Sequence, residues 1–264
     1  DMWAGSQPPI APNAITRWIS TNPRHLQVPQ TPYERVPIIG SAMGGAATQE
    51  ISPWYNPTLK RYECLVNTSS SQFFWYASSP LGPWSGGTQV LGGGAGGEAA
   101  AAQQCSVYVE GSTIYALYLK SAGATVITMA TATMPTSSTA VPVFTVSGTI
   151  YDDGGIQLLD SPWLMKVQST YYLFAHYQGA PRLALTSATS PSGFVSSPFA
   201  AVSGAFRNMY FYIGIRYLSR LGRLQVFYEN GTWVALGHML NGVDFGTSQV
   251  YRFTCTDPGP YPIN

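Results

Sequence analysis

The stretch that decides the fold is LLDSPWLMKVQSTYYLFAHYQGAPRLALTSATSPSGF, which runs from Leu158 to Phe194. It begins with a Ser-Pro-Trp motif ending at Trp163, continues through a Tyr-rich strand pattern and ends in a proline turn. The same order occurs in EISPWYNPTLKRYECLVNTSSSQFFWYASSPLGPW, from Glu50 to Trp84. In both stretches a Tyr follows the motif's Trp by eight residues. The two stretches are therefore copies of one repeat.

A third copy lies between these two. Val107 precedes Tyr115 by eight residues, and Cys105 and Ser161 are separated by 56 residues, as are Pro135 and Pro191. Each copy alternates β-branched and aromatic residues between Gly, Pro and Ser, which is typical of strands. A fourth, diverged copy contains IGIRYL (213–218), LQVFYEN (224–230), TWVALG (232–237) and SQVYRFT (248–254).

Repeats of four strands at this spacing are typical of propeller blades. Four copies cover residues 40–264, and we expect residues 1–39 to complete a fifth blade together with C-terminal strands. The sequence therefore predicts one all-β domain over residues 1–264. Its expected architecture is a five-bladed β-propeller with four-stranded blades around a central axis and almost no helix.

Composition excludes several classes of function. Thirteen basic and twelve acidic residues leave a net charge of +1, so there is no electrostatic basis for binding nucleic acid. No apolar run is long enough to insert into a membrane. With only 9% charged residues, the composition favours a secreted protein or a component of a virion surface.

We predict neither a metal site nor a cofactor. Cys64, Cys105 and Cys255 lack the spacing of metal ligands, and buried thiols are the favoured interpretation; one disulfide with an odd thiol is the alternative. GGGAGGEAAAAQQ (92–104) is interpreted as a flexible connector, because no Lys-Ser/Thr follows it to form a phosphate loop. Asn67-Thr68-Ser69 matches the glycosylation sequon.

The repeat resembles the blades of a known group of propellers. An acidic residue near Pro, an aromatic-rich strand and an A-x-S-x-S-P-x-G ending are similar to the five-bladed propellers of glycoside hydrolase family 43 and its sucrose- and levan-cleaving relatives of family 32. Similar propellers also occur in phage tail and fibre proteins. The resemblance covers about residues 40–205 and implies a carbohydrate or polysaccharide partner.

The resemblance also implies catalytic carboxylates on the innermost strands. Hydrolysis needs two carboxyl groups with separated pKa values on opposite sides of the scissile bond. Asp160, in Asp-Ser-Pro, is the first candidate, and Glu50, in Glu-Ile-Ser-Pro, is the second. When the two Ser-Pro-Trp motifs are superposed, Asp160 aligns with Ile51. Without a bulge, the two carboxylates would therefore point to opposite faces of their strands.

Candidate substrate-binding residues come from three groups. The aromatic rings could stack on sugars, the amides could bind hydroxyl groups, and a His and an Arg near the second strand could contribute polar contacts. These candidates are Trp54, Trp163, Tyr210, Gln104, Asn208, His176 and Arg182. The alternatives are packing between blades for the aromatic residues, a structural hydrogen bond for His176 and pairing with Asp160 for Arg182.

Three functions fit this sequence. The first is a glycan-recognising propeller, extracellular or on a virion surface, with degenerate or absent catalysis. The second is a small family-43-like glycoside hydrolase that uses Asp160 and Glu50. The third is a structural virion or assembly module that contacts other virion or surface proteins through the propeller.

Overall fold

The computed structural model describes the backbone of residues 2–5, 15–18, 36–39, 48–68, 70–79, 82–121, 124–152, 159–177, 183–194, 200–201, 218–229, 232–241 and 249–255. Side chains are described within residues 51–68, 70–79, 82–121, 124–152, 162–175 and 186–194. The structural statements below concern these residues.

The described strands form five antiparallel sheets, which follow one another along the chain. The first sheet contains β1 (Met2–Gly5), β2 (Ile15–Trp18) and β3 (Val36–Ile39). The second contains β4 (Thr48–Asn56), β5 (Arg61–Thr68), β6 (Ser71–Ala77) and β7 (Ser85–Leu91). The third contains β8 (Gln103–Glu110), β9 (Thr113–Leu119), β10 (Val126–Thr133) and β11 (Thr145–Asp152). The fourth contains β12 (Leu159–Val167), β13 (Thr170–Tyr177), β14 (Leu183–Ala188) and β15 (Ala200–Ala201), and the fifth β16 (Leu218–Glu229), β17 (Thr232–Asn241) and β18 (Gln249–Cys255).

Each sheet is a meander whose strands pair in chain order. The first strand of each sheet contacts the first strand of the next, so that β1 meets β4, β4 meets β8, β8 meets β12 and β12 meets β16. First strands lie together in this way when successive sheets are arranged around a common axis. The predicted all-β fold is confirmed, and three of the five described sheets have the predicted four antiparallel strands.

The core lies between neighbouring sheets. Leu65 and Phe74 of the second sheet pack with Ile114 and Tyr118 of the third. The opposite face of the third sheet packs against the fourth, where Leu117, Leu119 and Leu173 are fully buried or nearly so. Because both faces of a sheet are covered, strands such as YALYL (115–119) are apolar at nearly every position rather than at alternate ones.

One part of the predicted architecture differs from the structure. Residues 224–230 were expected to form a second strand of the fourth copy, but β16 runs unbroken from Leu218 to Glu229 as the first strand of its sheet. Register shifts around Gly222 let this long strand stay paired with β17. The remainder of the expected first strand, 213–217, lies outside the described residues. At the N-terminus, β1 to β3 pair with one another. The completion of a fifth blade by residues 1–39 together with C-terminal strands stays a prediction.

No helix in the described part of the chain is long and apolar enough to cross a membrane.

Candidate functional site

Each of the three four-stranded sheets has two distinct ends. At the front end the first strand begins beside the last residues of the second strand, and at the hairpin end a tight turn joins these two strands. The front-end pairs are Thr48 with Thr68, Gln103 with Leu119 and Leu159 with Tyr177. The first strands contact one another and run in the same direction, because Ser52 near the front of β4 is bonded to Cys105 near the front of β8 and Lys166 near the end of β12 is bonded to Glu110 at the end of β8. The three front ends therefore lie on one side of the protein. Glu50, Gln104 and Asp160 all occupy front-end positions.

A β-bulge in β12 changes the expected register of Asp160. Asp160 is paired with His176 and Trp163 with Phe174, so the two residues between Asp160 and Trp163 oppose a single residue of β13. Positions 174 and 176 share one face of β13. The Asp160 and Trp163 positions therefore share a face as well.

Glu50 has the same relation to its own tryptophan. In β4, Glu50 pairs with Asn67 and Trp54 pairs with Glu63, with no register shift between them. Positions 63 and 67 share one face of β5, so the Glu50 and Trp54 positions do too. Asp160 and Glu50 were expected on opposite faces only because the two Ser-Pro-Trp motifs were superposed without the bulge. With the bulge, each position lies on the same face of its strand as the tryptophan of its motif. The side chains of Glu50, Asp160, His176, Arg182, Asn208 and Tyr210 lie outside the described residues.

Gln104 occupies a strained position at a second bulge. The pairing register of β8 with β9 changes between Gln103 and Ser106. Gln104 has a φ of 50°, in the left-handed region that non-glycine residues rarely adopt. Its side chain is half-buried, and its Oε1 has no hydrogen-bond partner among the described residues. Local strain of this kind is often kept at functional sites. The predicted amide candidate therefore lies at the front end with an unused acceptor.

Asn67 is a front-end residue that the sequence did not reveal as a binding candidate. Its side chain is only 1% exposed, yet neither Nδ2 nor Oδ1 has a partner among the described residues. It lies directly between Glu50 on β4 and Gln72 on β6. Its only sequence signal was the sequon, and its burial removes Asn67 from the protein surface. A better signal for a binding role was that Asn67 is a polar residue on the same face of β5 as the buried Leu65.

Two hydrogen bonds hold the start of β8 against this face of the second sheet. Ser52 Oγ donates to the carbonyl of Cys105 at 2.8 Å, and Gln72 Nε2 donates to the carbonyl of Ala102 at 2.6 Å. Asn67 shares the face and the cross-strand row of Gln72. It therefore faces the segment between Ala102 and Cys105, which contains Gln104.

The glycine-rich segment before β8 is an ordered structure, so its interpretation as a flexible connector is wrong. Backbone hydrogen bonds cross it, from Gly93 N to Ala100 O and from Gly94 N to Glu98 O, and Gln103 and Gln104 belong to β8. At Gly92, φ is +80°, and a Cβ atom would lie 2.6 Å from the carbonyl oxygen of Ser70. Close backbone approach, rather than mobility, explains this glycine.

Glu98 anchors the same segment. Its carboxylate accepts hydrogen bonds from Tyr118 Oη at 2.6 Å and from the Ala100 amide at 3.1 Å, and it pairs with Lys120 Nζ at 3.2 Å. Burial alone would raise the pKa of Glu98, but these three donors outweigh it and lower the pKa. Burial and the bond to Glu98 raise the pKa of Tyr118. Glu98 is thus a front-end carboxylate held as an anion.

The two repeated tryptophans differ in their surroundings. Trp54 is 8% exposed and packs in the core between the second and third sheets, where its Nε1 donates to Glu63 Oε2 at 2.9 Å. The packing interpretation thus describes Trp54, and its ring is not available for stacking on a ligand. Trp163 is partly exposed.

At the hairpin end, the polar groups of the second sheet are paired. The fully buried Glu63 also accepts hydrogen bonds from Asn56 Nδ2 at 2.9 Å and from Arg61 Nε at 2.8 Å. Arg61 in turn donates to the carbonyl of Ser138 at 2.7 Å, and its guanidinium lies 4.2 Å from the centre of the Tyr76 ring. This network joins the second sheet to the third.

A smaller network joins the third and fourth sheets at the same end. Glu110 accepts hydrogen bonds from Lys166 Nζ and from Tyr171 Oη, each at 2.6 Å. These bonds lower the pKa of Glu110 and raise that of Lys166. Burial, with the nearby charge of Glu110, raises the pKa of Tyr108 to about 12. Glu110 and Lys166 occupy equivalent positions in successive repeats, 56 residues apart.

No group of three or more His, Cys, Asp or Glu side chains that could hold a metal ion occurs among the described residues. Cys64 and Cys105 are buried thiols, and burial raises the pKa of Cys64 well above its ordinary value. Cys255 has no described side chain.

The amino-acid sequence matches no protein-family model and no curated protein. The fold, in contrast, is similar to solved structures. With an exo-β-1,3-galactanase from Phanerochaete chrysosporium, in complex with β-1,3-galactotriose, the TM-score is 0.60 at 14% identity, over 92% of this chain and 54% of that one. With an endo-1,4-β-xylanase from Bacteroides thetaiotaomicron the TM-score is 0.59 at 11% identity, over 94% and 84%.

A third similar structure is the xyloglucan PUL GH43B protein of Bacteroides ovatus, with a TM-score of 0.55 at 16% identity, over 79% of this chain and 40% of that one. The chain spans about half the length of the galactanase. Glycoside hydrolases of family 43 are thus among its structural neighbours, and likeness at this identity shows the fold alone. The chain has a β-propeller-like fold of the kind found in family 43.

Proposed function

We propose that this protein is a five-bladed propeller that binds a glycan at its front end. The observation that carries the proposal is the distribution of buried polar atoms. Four residues in the front halves of their strands have buried polar atoms without a partner among the described residues. They are Asn67, Gln104, Ser106 and Thr128. Buried polar groups are rarely left unpaired unless another group binds them.

A sugar hydroxyl both donates and accepts hydrogen bonds, so it suits an amide that offers a donor and an acceptor together. The fold supports the same ligand class, because its neighbours include a galactanase crystallised with β-1,3-galactotriose and a xylanase. In the proposed site Gln104 binds hydroxyl groups and Trp163 stacks on a sugar ring. Asp160, Glu50, His176, Arg182, Asn208 and Tyr210 complete the proposed set around the axis.

Glycoside hydrolysis is a second candidate function, and the bulge in β12 favours it. Because of the bulge, Asp160 lies on the same strand face as Trp163, just as Glu50 lies on the same strand face as Trp54. The register conflict between the two carboxylates is thereby removed. In this mechanism one carboxyl group protonates the leaving oxygen and the other activates water or attacks the sugar. Glu98 does not suit the role of acid, because its hydrogen bonds lower its pKa.

One experiment tests both functions. Wild type and Asp160→Asn are assayed for binding and for product release on arabinan, xylan, levan, β-1,3-galactan and bacterial surface polysaccharides. Glycan binding with little turnover, changed only modestly in Asp160→Asn, is expected of the binder. Clear turnover by wild type that falls by about 10²-fold or more in the variant would establish the hydrolase instead.

Absence of both binding and turnover would contradict the proposed function. A structural role on a virion surface, with contacts to other virion proteins, stays a prediction, as does an extracellular location.

A further inference from the structure

We propose that Asn67 and Gln104 form a hydroxyl-binding pair that makes the front end selective for a neutral sugar with two adjacent free hydroxyl groups. This inference rests on the proposed glycan-binding function and adds a residue, Asn67, and a ligand chemistry to it.

The first argument is the unused hydrogen-bonding capacity of the pair. Asn67 Nδ2 is a donor, whereas Asn67 Oδ1 and Gln104 Oε1 are acceptors, and all three are buried without a partner among the described residues. A carboxamide donor beside a carboxamide acceptor matches two neighbouring hydroxyl groups, each of which donates one bond and accepts another.

The second argument is the position of the pair. Asn67 shares a row with Gln72, whose Nε2 is bonded to the carbonyl of Ala102 at 2.6 Å, and the next row contains Ser52, bonded to the carbonyl of Cys105 at 2.8 Å. The two bonds hold the Gln104 segment against the face that carries Asn67. Both carboxamides thus belong to one junction between the second and third sheets.

The third argument concerns order of access. Asn67 is 1% exposed, whereas Gln104 is half-buried. Gln104 is therefore the outer member of the pair and Asn67 the inner one. We expect a sugar to reach Asn67 by displacing the Gln104 side chain, which has no described hydrogen bond through Oε1 to break.

The fourth argument is charge. Among the described side chains, Lys120 is the cation beside the front-end junction of the second and third sheets, and it is paired with Glu98 at 3.2 Å. Arg182 precedes β14 and belongs to the fourth sheet's part of the sequence, not to this junction. A uronate or other anionic sugar would need a cation that is free to bind its carboxylate. The amide pair offers neutral hydrogen bonds, so the junction suits an uncharged sugar.

Asn67→Leu separates a binding role from a structural one. Leu has a similar shape, and replacing a buried polar group that lacks a partner by an apolar one is neutral or stabilising. We therefore expect the thermal midpoint to stay or rise while affinity for a neutral polysaccharide falls about tenfold. Gln104→Ala provides a second variant at a half-buried position, with a comparable fall in affinity.

Two matched glutamines serve as controls. Gln72→Leu removes a carboxamide that is bonded, so it should lower the thermal midpoint by leaving the Ala102 carbonyl unpaired. Gln168→Ala alters an exposed carboxamide in the turn between β12 and β13, at the hairpin end, and should leave glycan affinity unchanged.

The ligands are xylan and β-1,4-galactan, whose units carry adjacent free 2- and 3-hydroxyls, a 2,3-di-O-methylated xylan that lacks adjacent free hydroxyls, and polygalacturonate as the anionic probe. Binding of the two neutral polymers but of neither other probe, weakened in both Asn67→Leu and Gln104→Ala, supports the inference. Equal binding by both variants, or preference for polygalacturonate, overturns it while leaving glycan binding intact. Failure of wild type to bind any glycan overturns the proposed function itself.

Discussion

The front and hairpin ends of the same sheets solve the burial of polar groups in opposite ways. At the hairpin end of the second sheet, the carboxylate of Glu63 receives three hydrogen bonds from Trp54, Asn56 and Arg61. At the front end of that sheet, a few residues along the same strand, Asn67 is equally buried and has no described partner. Trp75 Nε1, in the middle of β6, is also buried without a partner among the described residues.

This difference separates stability from binding along a single strand. Paired polar groups between sheets fix how the sheets pack, because leaving any of them unpaired is costly. Unpaired buried groups gain hydrogen bonds when a ligand reaches them. We therefore expect substitutions at the hairpin end to reduce stability and substitutions at the front end to reduce binding.

The largest expected effect is at Glu63. Glu63→Ala removes the acceptor of three donors and leaves the guanidinium of Arg61, 6% exposed, without its carboxylate. We expect a loss of about 3–5 kcal/mol in the free energy of unfolding. Urea denaturation followed by tryptophan fluorescence measures it. A loss below about 1 kcal/mol would show that the hairpin end is not what joins the second and third sheets.

The next effect compares the two tryptophans of the Ser-Pro-Trp repeats. Trp54→Ala deletes a buried ring and one donor to Glu63, so we expect a loss of about 3–5 kcal/mol. Trp163 is partly exposed. Trp163→Ala should therefore reduce stability less than Trp54→Ala does, and should reduce glycan affinity more. Denaturation and binding measurements on both variants test this contrast. Equal losses of stability would mean that both rings are packing residues.

A smaller effect is expected in the glycine-rich segment. Both Gly92 and Gly94 have positive φ, but a Cβ at Gly92 meets the Ser70 carbonyl, whereas a Cβ at Gly94 meets nothing within 4 Å. Gly94→Ala should therefore cost about 1 kcal/mol from its backbone conformation alone. Gly92→Ala should cost more and should also weaken glycan binding, because it displaces the start of β8. Equal effects would mean that the segment does not position Gln104.

Glu110→Gln should have the smallest effect of a single substitution. The Glu110–Lys166 pair is partly exposed, so solvent and salt screen it. We expect a small fall in the denaturation midpoint at low salt that disappears at about 1 M salt. Persistence of the fall at high salt would show that the bond from Tyr171, and not the ion pair, carries the interaction.

Stability should also depend on pH at both ends of the scale. Glu98 and Glu110 have lowered pKa values in the folded protein, so their contribution is present above the unfolded value, about 4.3, and is lost as pH falls below it. Tyr108, with its pKa raised to about 12, makes the unfolded state lose its proton first, so stability falls between about pH 10 and pH 12. Thermal midpoints of wild type and Glu110→Gln across pH test the acidic limb. An identical acid response in the variant would leave Glu98 as its source.

The strands were predictable from the sequence where runs of β-branched and aromatic residues are bounded by Gly, Pro or Ser. The repeat beginning at Ser161 predicted strands that correspond to β12, β13 and β14, and LALTSA begins β14 at Leu183 as expected. The β16 strand was not predictable as one unit, because Gly222 resembles a turn residue but lies at a register shift within a continuous strand.

The site was harder to predict because it depends on bulges and on contacts between sheets. The phase of Asp160 relative to Trp163 depends on a bulge that the Ser-Pro-Trp motif contains in one repeat and lacks in another. The order of the glycine-rich segment depends on Glu98 meeting Tyr118, twenty residues later. Such contacts have no local sequence signature, which is why Asn67 and Glu98 were missed.

The burial of Asn67 has a consequence for how the protein is produced. Asn67-Thr68-Ser69 is a glycosylation acceptor only while the chain is unfolded, since the folded protein covers the Asn67 carboxamide. A secretory pathway that modifies sequons during synthesis would attach a bulky oligosaccharide before β5 pairs with its neighbours. Chains modified at this position could not close the junction between the second and third sheets. A bacterial host, or Ser69→Ala in a eukaryotic one, avoids this competition between modification and folding.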